Sequence, residues 1–167
     1  MAWSQTAPTL PSGSAWEQEK SVYGRANHWS LSGKLYIARL NGRQFAIKAE
    51  LTSDNGSYGT YYPPSKWTFR CDVGDVTGTE DTSFDVSKGT TTFYFVGEAG
   101  EGVNITVKVG GVGAAVAVQT ATFTAPALLG STLYFKVSGV WKQATLYRKG
   151  GTWKNALAKF KAGGIWK

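Results

Sequence analysis

From residue 34 onward apolar and polar residues alternate with a period of two. In WTFRCDV (67–73), Trp67, Phe69, Cys71 and Val73 fall on one side, and Thr68, Arg70 and Asp72 on the other. That is the pattern of a strand with one face buried. KLYIARL and RQFAIKAEL flank Asn41-Gly42, a dipeptide suited to a two-residue hairpin turn. Pairing Leu40 with Arg43 sets Tyr36 opposite Ile47 and Ala38 opposite Phe45 on one face. Leu51 continues that face, while Lys48 and Glu50 point away. TSFDVS, TTFYFV, VNITVKV and AAVAVQTATF follow as short strands, separated by turn signals at Lys88-Gly89, Gly97 to Gly102 and Gly110-Gly111. The spacing, with no helical period, predicts an all-β protein built on a β-sandwich of Greek-key or immunoglobulin-like kind over residues 34–125.

Residues 1–33 hold no sustained period. They are rich in Ser, Pro, Gly and Ala, with Trp3, Trp16, Tyr23 and Trp29 at intervals. Two readings fit: a flexible leader, or an extended aromatic arm whose Trp3, Trp16 and Trp29 dock on a partner, since indoles are costly to leave in water. At the other end, Phe123-Thr124-Ala125-Pro126 closes the sandwich and residues 126–167 form a unit of their own.

That last unit repeats. FKVSGVWKQA (135–144), YRKGGTWKNA (147–156) and FKAGGIWK (160–167) share an aromatic, a cation, a glycine turn, then Trp-Lys. Turns at Ser138-Gly139, Gly150-Gly151 and Gly163-Gly164 predict a four-stranded antiparallel meander. In this register Trp141 faces Lys136, Trp153 faces Arg148 and Trp166 faces Lys161, a geometry for cation–π contact. Lys142 would lie opposite Lys159, and that repulsion wants an anion or an acidic neighbour. A meander this small buries one face at best, so it should pack on the sandwich or on other chains.

Charge sharpens the contrast between the two ends. The 167 residues carry a net +7, yet residues 1–101 hold 9 Lys+Arg against 11 Asp+Glu, and residues 102–167 hold 9 Lys+Arg and no acid. Such polarity points one end at an anionic partner or an acidic subunit. Aromatics at 14% and charged residues at 17% suit a folded sheet protein. The N-terminus lacks the basic start and apolar run of a signal peptide, and VGGVGAAVAV (109–118) is too short and glycine-rich to span a bilayer, so synthesis in a cytoplasm without membrane insertion is expected.

The Gly-Gly-x-Trp-Lys runs resemble the C-terminal repeats of tailed-bacteriophage structural proteins, especially tail-fibre and tail-tip components. The resemblance covers residues 133–167 and rests on Gly139, Trp141 and Lys142, Gly151, Trp153 and Lys154, and Gly164, Trp166 and Lys167. It implies a virion part that works by assembly and surface contact, with other virion subunits and copies of itself as partners, no catalytic residues and no cofactor. The chain is shorter than a typical fibre and has no heptad shaft, which implies a small tail, tip or decoration subunit.

Candidate chemistry is sparse. His28 stands beside Trp29, and a Cys71–His28 nucleophile pair is weighed against a buried, inert thiol on the apolar face of its strand. One histidine and one cysteine make no zinc site. The stretch DVGDVTGTEDTSFD (72–85) offers Asp72, Asp75, Glu80, Asp81 and Asp85 to a calcium ion, without the spacing of an EF-hand loop; the alternative is solvated turn carboxylates. Tyr58, Tyr61 and Tyr62, in a loop with two prolines, either meet a glycan or protein, such as a host cell-surface glycan, or cap one end of the sandwich. The basic aromatic C-terminus leaves two further readings: a module for carbohydrate or anionic polymer, and a nucleic-acid-binding protein that neutralises phosphates and stacks bases.

Overall fold

The computed structural model describes residues 2–26, 29–54, 66–86, 89–112, 116–128, 132–137, 140–145, 147–150, 152–155, 161–162 and 165–166, the backbone alone from 132 onward. Tyr58, Tyr61, Tyr62, His28, Lys159 and Lys167 lie outside the described residues. Every regular element described is a strand: β1 Trp3–Ser4, β2 Glu17–Ala26, β3 Trp29–Arg39, β4 Gln44–Asp54, β5 Lys66–Val73, β6 Gly89–Glu98, β7 Asn104–Val112 and β8 Val116–Thr124, then β9 Thr132–Val137, β10 Val140–Thr145, β11 Tyr147–Gly150, β12 Thr152–Asn155, β13 Lys161–Ala162 and β14 Ile165–Trp166. The chain divides into two compact units, Met1–Leu128 and Leu129–Lys167.

The first unit is a β-sandwich. One antiparallel sheet runs β1-β6-β4-β3-β2 and the other β5-β7-β8. The chain lays down β2, β3 and β4 as neighbours, alternates between the sheets through β5, β6 and β7, and adds β8 beside β7. An immunoglobulin sheet of A-B-E-D order winds differently, with its fifth strand beside its second. Period-two alternation sends Leu31, Leu35 and Ile37 of β3, Phe45, Ile47 and Leu51 of β4, and Phe93 and Phe95 of β6 inward, all buried. Trp67, Phe69 and Cys71 of β5 and Ile105, Val107 and Val109 of β7 meet them, as the alternation of 67–73 predicted. Phe69 and Phe93 touch across the two sheets with ring centroids 4.7 Å apart.

Three expectations change. The β3–β4 hairpin closes on three residues: the Leu40 N–H donates to the Gln44 carbonyl and the Gln44 N–H to that of Asn41, both at 2.9 Å, with Gly42 at φ +55°. The register becomes Ile37↔Ile47 and Tyr36↔Lys48. A slip of one residue turns a whole strand over, so Leu35 and Ile37 enter the core and Tyr36 faces outward. Secondly, 82–87 is no strand among its described residues. It lies along β5 through single bridges, Phe69↔Asp81 and Lys66↔Asp85, and contributes Phe84, packed edge-on against Phe69 and Phe93. Thirdly, the residues expected to form an arm belong to the body. β2 pairs with β3 from Glu17 to Ala26, and Trp3 and Trp29 are buried in the core cluster.

The sandwich has two seams, and the N-terminal residues close both. At one, the β1 ring of Trp3 stacks on Phe69 of the opposite sheet at 4.6 Å and lies 5.4 Å from Phe95. At the other, β2 bulges between Glu17 and Lys20, where Gln18 takes a left-handed φ of 54°. Its carboxamide donates to the Thr124 carbonyl at 2.7 Å and accepts the Thr124 N–H at 3.1 Å. The side chain thereby stands in for a backbone ladder pair between β2 and β8.

Candidate functional site

Arg39 ends β3 inside the protein, 2% exposed. Its Nη1 donates to the carbonyls of Arg43 and Ala99, each at 2.9 Å. Its Nε donates to that of Pro126 at 3.1 Å, and Nη2 reaches the same oxygen. Burial lowers the pKa of this guanidinium. The arrangement ties the β3–β4 turn, the chain after β6 and the segment after β8 to one cation, and it is structural.

On the outer face of the larger sheet, Tyr36, Lys48 and Tyr94 are consecutive cross-strand partners, and Trp16 lies beside them. Lys48 Nζ sits 4.3 Å from the Tyr36 ring centroid and 5.5 Å from that of Trp16, and pairs with Glu50 at 3.0 Å. Tyr36 donates to Glu19 at 3.0 Å, which also pairs with Lys34 at 2.8 Å. The Lys34 and Tyr36 contacts hold the Glu19 pKa below its ordinary value. Trp16, expected to reach for a partner, is thus held to its own sheet.

The outer face of the smaller sheet carries a cleft of about 370 Å³ lined by Thr68, Arg70, Glu80, Lys108, Val118 and Thr120. At its rim Asp72 accepts from the Gly78 N–H at 2.9 Å and pairs with Arg70 at 3.0 Å and Lys108 at 3.1 Å. Burial pushes the Asp72 pKa up, but that amide and the two cations outweigh it, and the net shift is downward. A second cleft, about 320 Å³, is bordered by Cys71, Val76, Thr79, Phe95 and Glu98. Burial and, secondarily, Asp72 push the Cys71 thiol up to about 12, so it is protonated and a poor nucleophile.

The acidic stretch is engaged piecemeal. Asp72 holds two cations, Asp81 accepts from the Ser83 hydroxyl and amide, and Asp85 pairs with Lys66. Among the described residues no three His, Cys, Asp or Glu side chains gather as a metal-ligand set, and no helix is long and apolar enough to cross a membrane.

Among its described residues the basic unit forms three two-stranded antiparallel ladders, β9–β10, β11–β12 and β13–β14, and none of these ladders joins the next into the expected four-stranded meander. Trp141 is the ladder partner of Lys136 and Trp166 that of Lys161, as the repeat predicted. The middle hairpin is one residue tighter. Gly150 pairs with Thr152, so Trp153 faces Lys149 and not Arg148, and Arg148 faces Lys154. A tighter turn again slides one strand by one position. Lys142 pairs with Phe135. The opposition expected between Lys142 and Lys159 lies outside the described residues; a like-charge pair does face across the middle ladder at Arg148↔Lys154, where direct cross-strand repulsion is destabilising unless an anion intervenes.

Compared with protein-family models, curated proteins and solved structures, the chain matches none.

Proposed function

We propose that this chain is a non-enzymatic assembly protein of a tailed-bacteriophage virion, a tail, tail-tip or fibre-associated subunit or a decoration protein. In this reading the sandwich is the body, and the basic hairpin unit meets an acidic surface on a neighbouring subunit. One observation carries it: each of three successive hairpins sets a tryptophan across from a lysine, in a unit of eight Lys+Arg with no carboxylate. Cations without local counter-ions are relieved by a partner's carboxylates within about a Debye length, roughly 8 Å at physiological salt. Tryptophan and arginine are also the residue types that concentrate binding energy at protein interfaces. The body supports the same reading, because burial pushes the Cys71 thiol up to about 12, and Arg70 and Lys108, in the cleft on the smaller sheet, both pair with Asp72. The setting in a phage particle rests on the resemblance of the repeats.

Particles purified from cells that make the chain test this directly. Quantitative mass spectrometry should find the chain at fixed stoichiometry to the other particle proteins. A chain ending at Leu128 should stay in the soluble fraction, and Arg148→Glu with Lys154→Glu should do the same in the full chain. A chain absent from particles refutes the virion reading. Particle binding unchanged by truncation refutes the role of the basic unit.

Charge excess also favours a second reading, an anionic polymer such as nucleic acid as the partner of the hairpins. Under it, the purified chain binds duplex or single-stranded DNA with an affinity that falls steeply with added salt.

A further inference from the structure

The ladder registers place the two ends of the N-terminal segment on one level of the sheet. Trp3 pairs with Phe95, Phe95 with Ile47, Ile47 with Ile37 and Ile37 with Glu17. β1 and the start of β2 are therefore at opposite edges of one row, four inter-strand spacings apart, about 19 Å. The segment joining them, residues 5–16, is twelve residues long and can extend to about 40 Å.

The segment crosses the outer face of the sheet. Trp16 packs near Tyr94, the Ser14 hydroxyl donates to the Arg39 carbonyl, and Ala38 and Ala46 are buried although they point away from the core. Even allowing for that detour, it has length to spare. Pro8 and Pro11 favour an extended path over a compact turn.

Its anchorage is slight. β1 pairs through two residues only, and one ring supplies the packing. The seam that receives the ring is built without it: Phe69 belongs to β5, Phe95 to β6, and the Asp81 carboxylate is held by Ser83. The fit is also incomplete in hydrogen bonds. Among the described residues the buried Trp3 indole Nε1 has no acceptor, and the Trp3 backbone N–H reaches Asp81 only at 3.4 Å.

We propose that this seam also receives residues 2–4 of a second copy of the chain, so that copies join by exchanging their N-terminal strands. Exchange remakes every contact that the intramolecular strand makes. It therefore costs chiefly the entropy of association, and high local concentration in an assembly offsets that. The seam belongs to the first unit and the basic hairpins to the second, so the inference stands or falls independently of their partner.

Ser4 and Tyr94 are ladder partners, close enough for a disulfide. In a Cys71→Ser background, a full-length Ser4→Cys chain is mixed with a full-length Tyr94→Cys chain and oxidised gently. Any 4–94 link is then between chains, and peptide mass spectrometry identifies it. The expected yield rises with protein concentration and exceeds that of a Ser4→Cys and Thr122→Cys control mixture by about tenfold. Links no more frequent than the control, with ready intrachain linkage in the Ser4→Cys/Tyr94→Cys double variant, overturn the inference. If Tyr94→Cys does not fold, a chain lacking residues 1–4 serves instead. It should bind a labelled peptide of residues 1–8 saturably, with binding lost for Trp3→Ala in the peptide; absence of saturable binding overturns the inference equally.

Discussion

Replacing Arg39 by methionine should be among the most damaging single changes in the body. The substitution keeps most of the buried stem and removes a guanidinium that serves the carbonyls of Arg43, Ala99 and Pro126. A buried acceptor left without its donor costs about 1–3 kcal/mol. The Arg43 carbonyl keeps the Ala99 N–H at 3.0 Å, so the carbonyls of Ala99 and Pro126 set a ceiling of about 6 kcal/mol. Two relaxations lower it: the acceptors lie in turns at the end of the sandwich and can rotate toward water, and removing a buried cation recovers its desolvation cost. The expected loss is about 3–5 kcal/mol, a large part of a total stability of about 5–15 kcal/mol. With a urea slope of about 2 kcal/mol per molar, the unfolding midpoint of the full chain should fall by about 2 M. Arg39→Lys should recover only part, because one ammonium cannot span three acceptors. Hydrogen exchange should localise the damage, with the Gly102 and Ala125 amides, which bond in the adjoining turns, losing protection first. A midpoint shift below about 0.5 M for Arg39→Met would show that the carbonyls of Ala99 and Pro126 find water freely, and the reasoning would fail.

The remaining predictions concern smaller features. Cys71, pushed up to about 12 by burial, should resist thiol reagents at pH 8 in the folded chain and react fully in denaturant; rapid labelling of the native protein would contradict its placement. Asp72 has a folded pKa below its unfolded value despite burial, so its contribution is present above about pH 4 and lost as pH falls through the folded value. Asp72→Asn should therefore flatten the acid limb of stability against pH measured by urea titration, and an unchanged limb would assign acid sensitivity elsewhere. Gln18→Ala removes both bonds to Thr124 while keeping a left-handed backbone, and should lower stability by about 1–3 kcal/mol; Gln18→Gly, which relieves the backbone, should lose less.

What could be read from the chain alone follows from local chemistry. Alternation in 67–73 assigned the faces of β5 correctly, because sidedness within a strand depends only on period two. The Gly-Gly-x-Trp-Lys repeats named the hairpins, and two of the three Trp–cation partners, because turn residues act over a few positions. Register was less accessible. The turn at Asn41 and that at Gly150 each differ by one residue from the expected length, and each shift exchanges the partners of an entire strand.

Tertiary structure decided the rest. β2 has little apolar signal, since only Val22 and Gly24 of its residues are buried; it is an edge strand that pairing with β3 recruits. Arg39 reads as a surface charge at a strand end, and the carbonyls of Ala99 and Pro126, far away in sequence, join that of Arg43 in the next turn to make it an internal residue. Trp3 and Trp16 are spaced as if to reach outward, yet a seam between sheets and a lysine on β4 hold them. Local sequence sets which way a side chain points along its own strand, whereas what it meets there depends on segments that only folding brings together.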